Sequence, residues 1–315
     1  MAAPGSSLGR RSLSAPSAWS RARNVFIKDG RLGVAWRLLI FGVLWSFCLQ
    51  GLFLAAGPLF RRIHGDFPQY SLVIWSLSFL AVLIPTVVMA RIERRPLATY
   101  GLPARGAFGA WFWKGTLWGL VAITGLMLAL RAAGAFYFGE VVLHGAELAR
   151  YAGSWALIWL LIALMEQYLW LGYLRSTMTE SLGFWPAVAL LSAIYGGIHF
   201  VLGEGGAAWI DGLVTGLLCL FSALTLRRTG SLWFVVGMHA SFTWGETFLY
   251  SVPDRGRTPP GHLLSSHFQG PTWLTGGSVG PEGSVFGLVM LAALFALFHW
   301  RYSEVRCMES AGPAQ

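Results

Sequence analysis

Residues 161–174 form the stretch "LIALMEQYLWLGYL". It is apolar along nearly its whole length, yet it carries the carboxylate of Glu166 with Gln167 beside it. An ionisable group at the centre of a membrane-spanning helix costs roughly 2.5–3.5 kcal/mol on insertion scales. A membrane helix that keeps such a group is expected to use it, so Glu166 is the first candidate functional residue.

The composition of the whole chain also predicts a membrane protein. Its 315 residues are 55% hydrophobic and only 12% charged, whereas soluble domains average about 25% charged residues. The net charge of +9 does not indicate nucleic-acid binding, because the basic residues flank apolar runs. The three cysteines show no paired spacing, which argues against a disulfide framework or a CxxC metal site.

Runs of about 20 apolar residues are long enough to cross a bilayer as helices. The predicted membrane domain, 33–302, contains a core at 154–250 and an extracytoplasmic loop at 251–283. Residues 1–32 are expected to form a disordered basic tail, and residues 303–315 a C-terminal tail. The fold class is therefore all-α, a polytopic membrane protein with about eight helices around an intramembrane site: 36–58, 70–91, 112–134, 154–175, 184–203, 207–226, 231–250 and 284–301.

The distribution of basic residues predicts the orientation of these helices. With the N-terminus inside, 17 of the 23 Lys and Arg residues fall on the inner side and 6 on the outer side. Because positive residues favour the cytoplasmic side, we expect both termini in the cytoplasm, in a prokaryotic plasma membrane. The loop 251–283, with five Pro and seven Gly, would then lie outside, and its stretch "PDRGRTPPGH" at 253–262 is expected to be irregular coil.

Polar residues within the predicted spans form stripes. His239, Thr243 and Glu246 are spaced i, i+4, i+7 and share one helix face, as Tyr195 and His199 do on another helix. Lipid would reject such faces, so both are expected to turn inward toward Glu166. Other ionisable residues are weaker candidates: Asp211 and Glu246 are near span ends and could reach water, and the remainder are expected in interfaces or loops, namely Glu204, His262, His267 and His299.

A carboxylate and two imidazoles in one sheltered site have two obvious uses. In hydrolysis, Glu166 would take a proton from water as general base and His199 would help to hold that water. His239 and the Thr243 hydroxyl would then donate hydrogen bonds to the oxyanion. Alternatively, Glu166, His199 and His239 are a ligand set suited to catalytic zinc. The spacing leaves both uses open, and zinc is a possible cofactor only.

Three ordered motifs resemble those of a known family. They are "EQYLWLGYL" at 166–174, "YGGIH" at 195–199 and "GSLWFVVGMHASFT" at 230–243. They are similar to the Glu-Glu-x-x-x-Arg, Phe-x-x-x-His and His-x-x-x-Asn motifs of the CPBP family of intramembrane peptidases. That family includes the CAAX-prenyl endopeptidases and bacteriocin-processing or self-immunity proteins.

The resemblance implies a fold, an activity and residue roles. It implies about eight helices, and a peptide or protein substrate that enters from the lipid bilayer. Glu166 and His199 fall on the positions that activate water, and His239 falls on the position that helps to stabilise the oxyanion. The family's need for a metal is disputed, so the resemblance does not commit the site to zinc.

The chain departs from the family motifs at four positions. Gln167 replaces the second glutamate, Leu171 the arginine, Thr243 the asparagine and Tyr195 the phenylalanine. Opposite charges at i and i+4 on a helix can pair, and replacing both partners of a buried pair can be near neutral. We interpret Gln167 and Leu171 as the joint replacement of a structural ion pair, with the chemistry left on Glu166.

Three functions are compatible with these residues. The first is a CAAX-protease-like intramembrane endopeptidase, a hydrolase. The second is a catalytically inactive membrane scaffold or immunity protein, which the three motif departures at Gln167, Leu171 and Thr243 favour. The third, a proton-linked transporter, is weakened by the motif match and by the absence of an internal repeat.

The joint-replacement hypothesis predicts the effect of restoring one charge alone. Leu171→Arg should lower the thermal midpoint of the protein in detergent, because a buried charge without its partner costs roughly 3–5 kcal/mol. Leu171→Met, which keeps the volume and adds no charge, is the control. An unchanged midpoint for Leu171→Arg would contradict the hypothesis.

Overall fold

The computed structural model describes residues 27–28, 31–63, 65, 67–202, 208–253 and 259–306. Most of the predicted tails 1–32 and 303–315 lie outside these ranges. The described chain is all-α apart from four two-residue strands, which confirms the predicted fold class. Its α-helices are α1 Val34–Ala55, α2 Gly57–Arg62, α3 Gln69–Glu93, α4 Ala110–Ala132, α5 Gly145–Gln167, α6 Arg175–Leu182, α7 Phe184–Leu202, α8 Ala208–Thr229, α9 Trp233–Trp244, α10 Thr272–Thr275 and α11 Val285–Arg301.

Each of the eight predicted spans is mainly helical over its described residues, but the helices differ in length. Within the described residues, six helices are long and apolar enough to cross a membrane, so the protein is a multi-pass membrane protein. The predicted span 284–301 forms the 17-residue α11, and the span 231–250 forms the 12-residue α9 with a short π-helical continuation. Helix α9 is short for a span and is buried along most of its length, so it meets protein where the other helices meet lipid.

The two pairs of strands are antiparallel: β1 Ile27–Lys28 with β2 Arg31–Leu32, and β3 Phe136–Tyr137 with β4 His267–Phe268. Strand β4 and helix α10 lie within the predicted loop 251–283, after the stretch 253–262 for which irregular coil is predicted. The ring nitrogen of Trp155 also donates to the Pro260 carbonyl at 3.0 Å. These contacts hold the loop against the segment that follows α4 and against α5.

Glycines let the central helix α9 touch α4 backbone to backbone. A Cβ added at Gly115 would collide with the carbonyl oxygen of Phe234, and one added at Gly119 with that of Met238. On α9, a Cβ at Gly237 would collide with the carbonyl oxygen of Phe112. Small residues at such crossings are the usual way for membrane helices to pack closely. This contact fixes α9, which carries His239.

A cluster of charged side chains joins α1, α3 and α6 at one end of the bundle. The Arg37 guanidinium donates to Glu93 at 2.9 Å and to Glu180 at 2.6 Å, and Arg95 also donates to Glu180. Tyr173 donates its hydroxyl to Glu93 at 2.6 Å. With two cations and two anions, the cluster is neutral, which lowers the free-energy cost of burying it.

Tyr100 closes the same cluster from the loop that follows α3. Its hydroxyl donates to Glu93 at 3.4 Å, and its side chain is fully buried. Burial, together with the negative charge of Glu93, raises the pKa of the Tyr100 hydroxyl well above its ordinary value. The hydroxyl therefore remains protonated and available as a donor at every physiological pH.

The contact between α4 and α9 predicts opposite outcomes for two glycines on the same helix. Gly119→Ala should destabilise the protein by about 1–3 kcal/mol, because the new methyl group overlaps the α9 backbone. Gly125→Ala is the matched control, since a Cβ there meets nothing within 4 Å, and alanine is the better helix former. Thermal midpoints in detergent measure both. Equal midpoints for the two variants would refute the close contact.

Candidate active site

Two of the helices that carry candidate site residues change from α-helical to π-helical geometry next to those residues. Helix α5 ends at Gln167 and continues as a π-helix over Tyr168–Leu174, and α9 continues as a π-helix over Gly245–Leu249. Short π-helical segments inside α-helices are frequent at functional sites. Glu166 lies in the last turn of α5, directly before the first π segment, and Glu246 lies within the second.

A cavity of about 470 Å³ lies between α5, α7, α8, α9 and α11. Every candidate site residue from the sequence has atoms on its wall, and so do further polar residues. The polar and ionisable side chains of the wall are Glu166, Gln167, Tyr195, His199, Asp211, Thr215, Ser222, His239, Thr243, Glu246 and Glu282. The polar stripes of α7 and α9 thus both turn into one space, away from lipid.

Glu166 meets two partners from different helices. The Tyr195 hydroxyl donates to Oε2 of Glu166 at 2.7 Å, and Nε2 of His239 lies 4.0 Å from the same oxygen. About a quarter of the Glu166 side chain is exposed, so the carboxylate is reachable from the cavity. A separation of 4.0 Å is too long for a direct hydrogen bond, and a water molecule can contact both groups.

Gln167 orients the imidazole of His239. Its side-chain nitrogen lies 3.3 Å from Nδ1 of His239. An amide nitrogen only donates hydrogen bonds, so this contact fits an unprotonated Nδ1, and the ring proton then resides on Nε2. Nε2 is the atom that faces Glu166 and the cavity. At this position a glutamate would offer only acceptors, and glutamine offers a donor.

His199 has a different partner from the one expected. Its Nδ1 lies 3.4 Å from Oδ1 of Asp211, at the start of α8. Among the described residues, no hydrogen bond or ion pair joins His199 to Glu166 or His239. Tyr195 lies between them, with its ring 5.0 Å from the His199 ring and its hydroxyl on Glu166.

The described residues contain no group of three or more His, Cys, Asp or Glu side chains arranged to hold a metal ion. The candidate ligand set of Glu166, His199 and His239 is therefore not assembled as a metal site in this conformation. His199 is separated from Glu166 because His199 lies near the end of α7. Tyr195 contacts both residues.

Two motif departures have clear surroundings. Leu171 is fully buried in an apolar cluster that includes Tyr100, Tyr168 and Tyr173, where a lone guanidinium would have no aqueous access. The Thr243 hydroxyl donates to the carbonyl oxygen of His239, one turn back on its own helix, at 2.8 Å. In this rotamer the hydroxyl proton of Thr243 is directed to the backbone.

Sequence reasoning missed two acidic contributions to the site. Asp211 is expected to be able to reach water from the end of its span, but nothing in the sequence indicates that it lies beside His199. Glu282 comes from the predicted loop 251–283 and lines the cavity together with Glu246. A Cβ added at Gly280 would lie 2.8 Å from a carboxylate oxygen of Glu282 and 3.0 Å from one of Glu246. A single acidic residue in a Gly- and Pro-rich loop carries no sequence signal of such a position.

The comparisons with known proteins address the same part of the chain. Residues 148–245 match the family described as type II CAAX prenyl endopeptidase Rce1-like. No curated protein and no solved structure matches the chain. The matched region covers about a third of the sequence and contains Glu166, His199 and His239. The predicted resemblance is thereby confirmed: residues 148–245 are similar to the CAAX-protease family.

Proposed function

We propose that the protein is an intramembrane endopeptidase that hydrolyses a peptide bond with water activated by Glu166. The observation that carries the proposal is the pairing of Glu166 and His239, which face each other from two helices across the cavity, 4.0 Å apart. The family match over 148–245 supports the same reaction class. The substrate is a peptide or protein segment that enters the cavity from the bilayer.

The geometry suits a general-base mechanism. Both described contacts of Glu166 use Oε2, which leaves Oε1 to take a proton from water as that water attacks the peptide carbonyl carbon. The Nε2 proton of His239 stabilises the oxyanion of the tetrahedral intermediate. The C–N bond then breaks, and Glu166 returns its proton to the departing amine. His199 helps to hold the attacking water, the role that the resemblance implies.

The proposal includes a place for the protein in the cell. The excess of Lys and Arg on one side of the spans favours both termini in the cytoplasm, and the membrane we propose is a prokaryotic plasma membrane. The cluster of Arg37, Glu93, Arg95 and Glu180 would then lie near the cytoplasmic side. Measuring the accessibility of single cysteines introduced at either end to a membrane-impermeant thiol reagent tests this orientation.

Removing the reacting side chains should abolish cleavage. Glu166→Gln, His199→Ala and His239→Ala should each lower the rate at which purified protein cleaves a transmembrane or lipopeptide reporter, by at least about 10²-fold for the general base. Glu140→Gln is the matched control, since Glu140 is an exposed loop carboxylate outside the cavity. Unchanged cleavage in the Glu166 and His199 variants would end the proposal.

A second candidate is a non-catalytic relative that uses the same pocket to bind a partner. The observation that favours it is the Thr243 hydroxyl, which donates to its own helix at the position where the family has an amide. A binding role predicts that Glu166→Gln protein keeps its cellular effect, because the substitution preserves shape. A hydrolytic role predicts that the effect is lost.

Thr243→Asn should raise the cleavage rate by about tenfold or more. An asparagine amide reaches farther than the hydroxyl, and one oxyanion donor is worth about 10²–10³ in rate. Thr243→Val, which offers no donor, should not raise the rate. Initial rates on the same reporter decide the matter, and an Asn variant no faster than the Val variant would show that this position does not serve the oxyanion.

A further inference from the structure

Helices α7 and α8 touch at their glycines, directly beside His199 and Asp211. A Cβ added at Gly212 would lie only 2.7 Å from the carbonyl oxygen of Gly196, and one at Gly196 would collide with the carbonyl of Gly212. One turn further, a Cβ at Gly216 would lie 3.2 Å from the carbonyl of Ser192. The two backbones are therefore in contact along this face.

This contact determines which side chains meet. His199 follows Gly196 by three residues, and Asp211 directly precedes Gly212. Where the backbones of α7 and α8 touch, side chains next to the crossing come within reach of each other. Nδ1 of His199 accordingly lies 3.4 Å from Oδ1 of Asp211, and the Thr215 hydroxyl donates to that same oxygen at 3.3 Å.

The chemistry of the pair favours one form of the neutral imidazole. An ionised carboxylate only accepts hydrogen bonds, so a hydrogen bond between the two groups needs the proton on Nδ1 of His199. In that form Nε2 keeps its lone pair as an acceptor. The distance of 3.4 Å is long for a hydrogen bond, and catalytic hydrogen bonds commonly shorten only once substrate is bound.

We propose that Asp211 is the positioning residue of His199, acting through Nδ1 so that Nε2 accepts a hydrogen bond from the attacking water. The inference rests on the proposed hydrolytic function and assigns its second carboxylate. Thr215 holds the carboxylate of Asp211 in turn. The two imidazoles of the site then have opposite hydrogen-bonding roles at Nε2: that of His239 donates a hydrogen bond, and that of His199 accepts one.

The first test reads the tautomer of His199 directly. The full-length protein is labelled with ¹⁵N-histidine, and the His199 signal is assigned by its loss in His199→Gln. The signal is recorded above about pH 8, where an ordinary imidazole is neutral. We expect a protonated Nδ1 and an unprotonated Nε2. Any other protonation pattern overturns the inference.

The second test replaces the carboxylate by a group that can also donate. Asp211→Asn keeps the size of the side chain, but its amide can donate to Nδ1, so part of the His199 signal should move to the form protonated at Nε2. Turnover of the reporter should fall about 10- to 100-fold, the range for partners that orient a functional imidazole. The loss should appear in kcat, with KM little changed. A tautomer and kcat identical to wild type would overturn the inference.

Two further variants separate positioning from folding. Thr215→Val removes the hydroxyl that holds Asp211 and should lower kcat less than Asp211→Asn does. It supplies the result if the Asn variant fails to fold, and an unchanged kcat in that case would count against the inference. Glu140→Gln, an exposed carboxylate outside the cavity, controls for loss of charge alone.

The two proposals fail in different ways. If wild-type protein does not cleave the reporter, the hydrolytic function fails. The tautomer of His199 still shows whether Asp211 holds the ring proton on Nδ1. If wild-type protein cleaves and Glu166→Gln does not, while Asp211→Asn keeps both rate and tautomer, the hydrolytic function stands and the positioning role is wrong.

Discussion

Direct contact between helix backbones at glycine is the constraint on which the site depends. Membrane helices gain little from hydrophobic burial against each other, because lipid is equally apolar, so packing and interhelical hydrogen bonds hold them together. Gly115 and Gly119 seat the helix that carries His239. Gly196 and Gly212 do the same for the pair of helices with His199 and Asp211. Short polar side chains reach a common space only because no methyl group separates these helices.

Much of the fold was predictable, and the reason is physical. Because a bilayer requires long apolar helices, the number and approximate bounds of the helices can be predicted from apolar runs in the sequence. Helical spacing alone placed His239, Thr243 and Glu246 on one face. Which helices adjoin is not local information. The His199–Asp211 pair depends on that adjacency, as does the contact of Gln167 with His239. Buried length matters too, since the central helix proved shorter than a lipid-facing span.

The departures from the family motifs acquire separate physical meanings. Gln167 places an amide donor on His239, which selects the ring form that can donate into the cavity. Leu171 fills an apolar cluster and leaves no charge to be neutralised. Under the proposed function Thr243 would be the change with a chemical cost, since its hydroxyl proton is directed to its own helix. One position thus contacts the imidazole, one fills the apolar cluster and one hydrogen-bonds its own helix.

The neutral cluster of Arg37, Glu93, Arg95 and Glu180 has a consequence for evolution. Its members come from three separate parts of the sequence, with Arg37 and Glu180 143 positions apart, yet loss of any single charge would leave another without its partner in a poorly hydrated place. Variants that have lost only one of the four charges are therefore expected to be destabilised, which makes stepwise replacement unfavourable. Among homologous chains, these four positions should therefore covary, present together or absent together, and that signature can be read from an alignment without any coordinates.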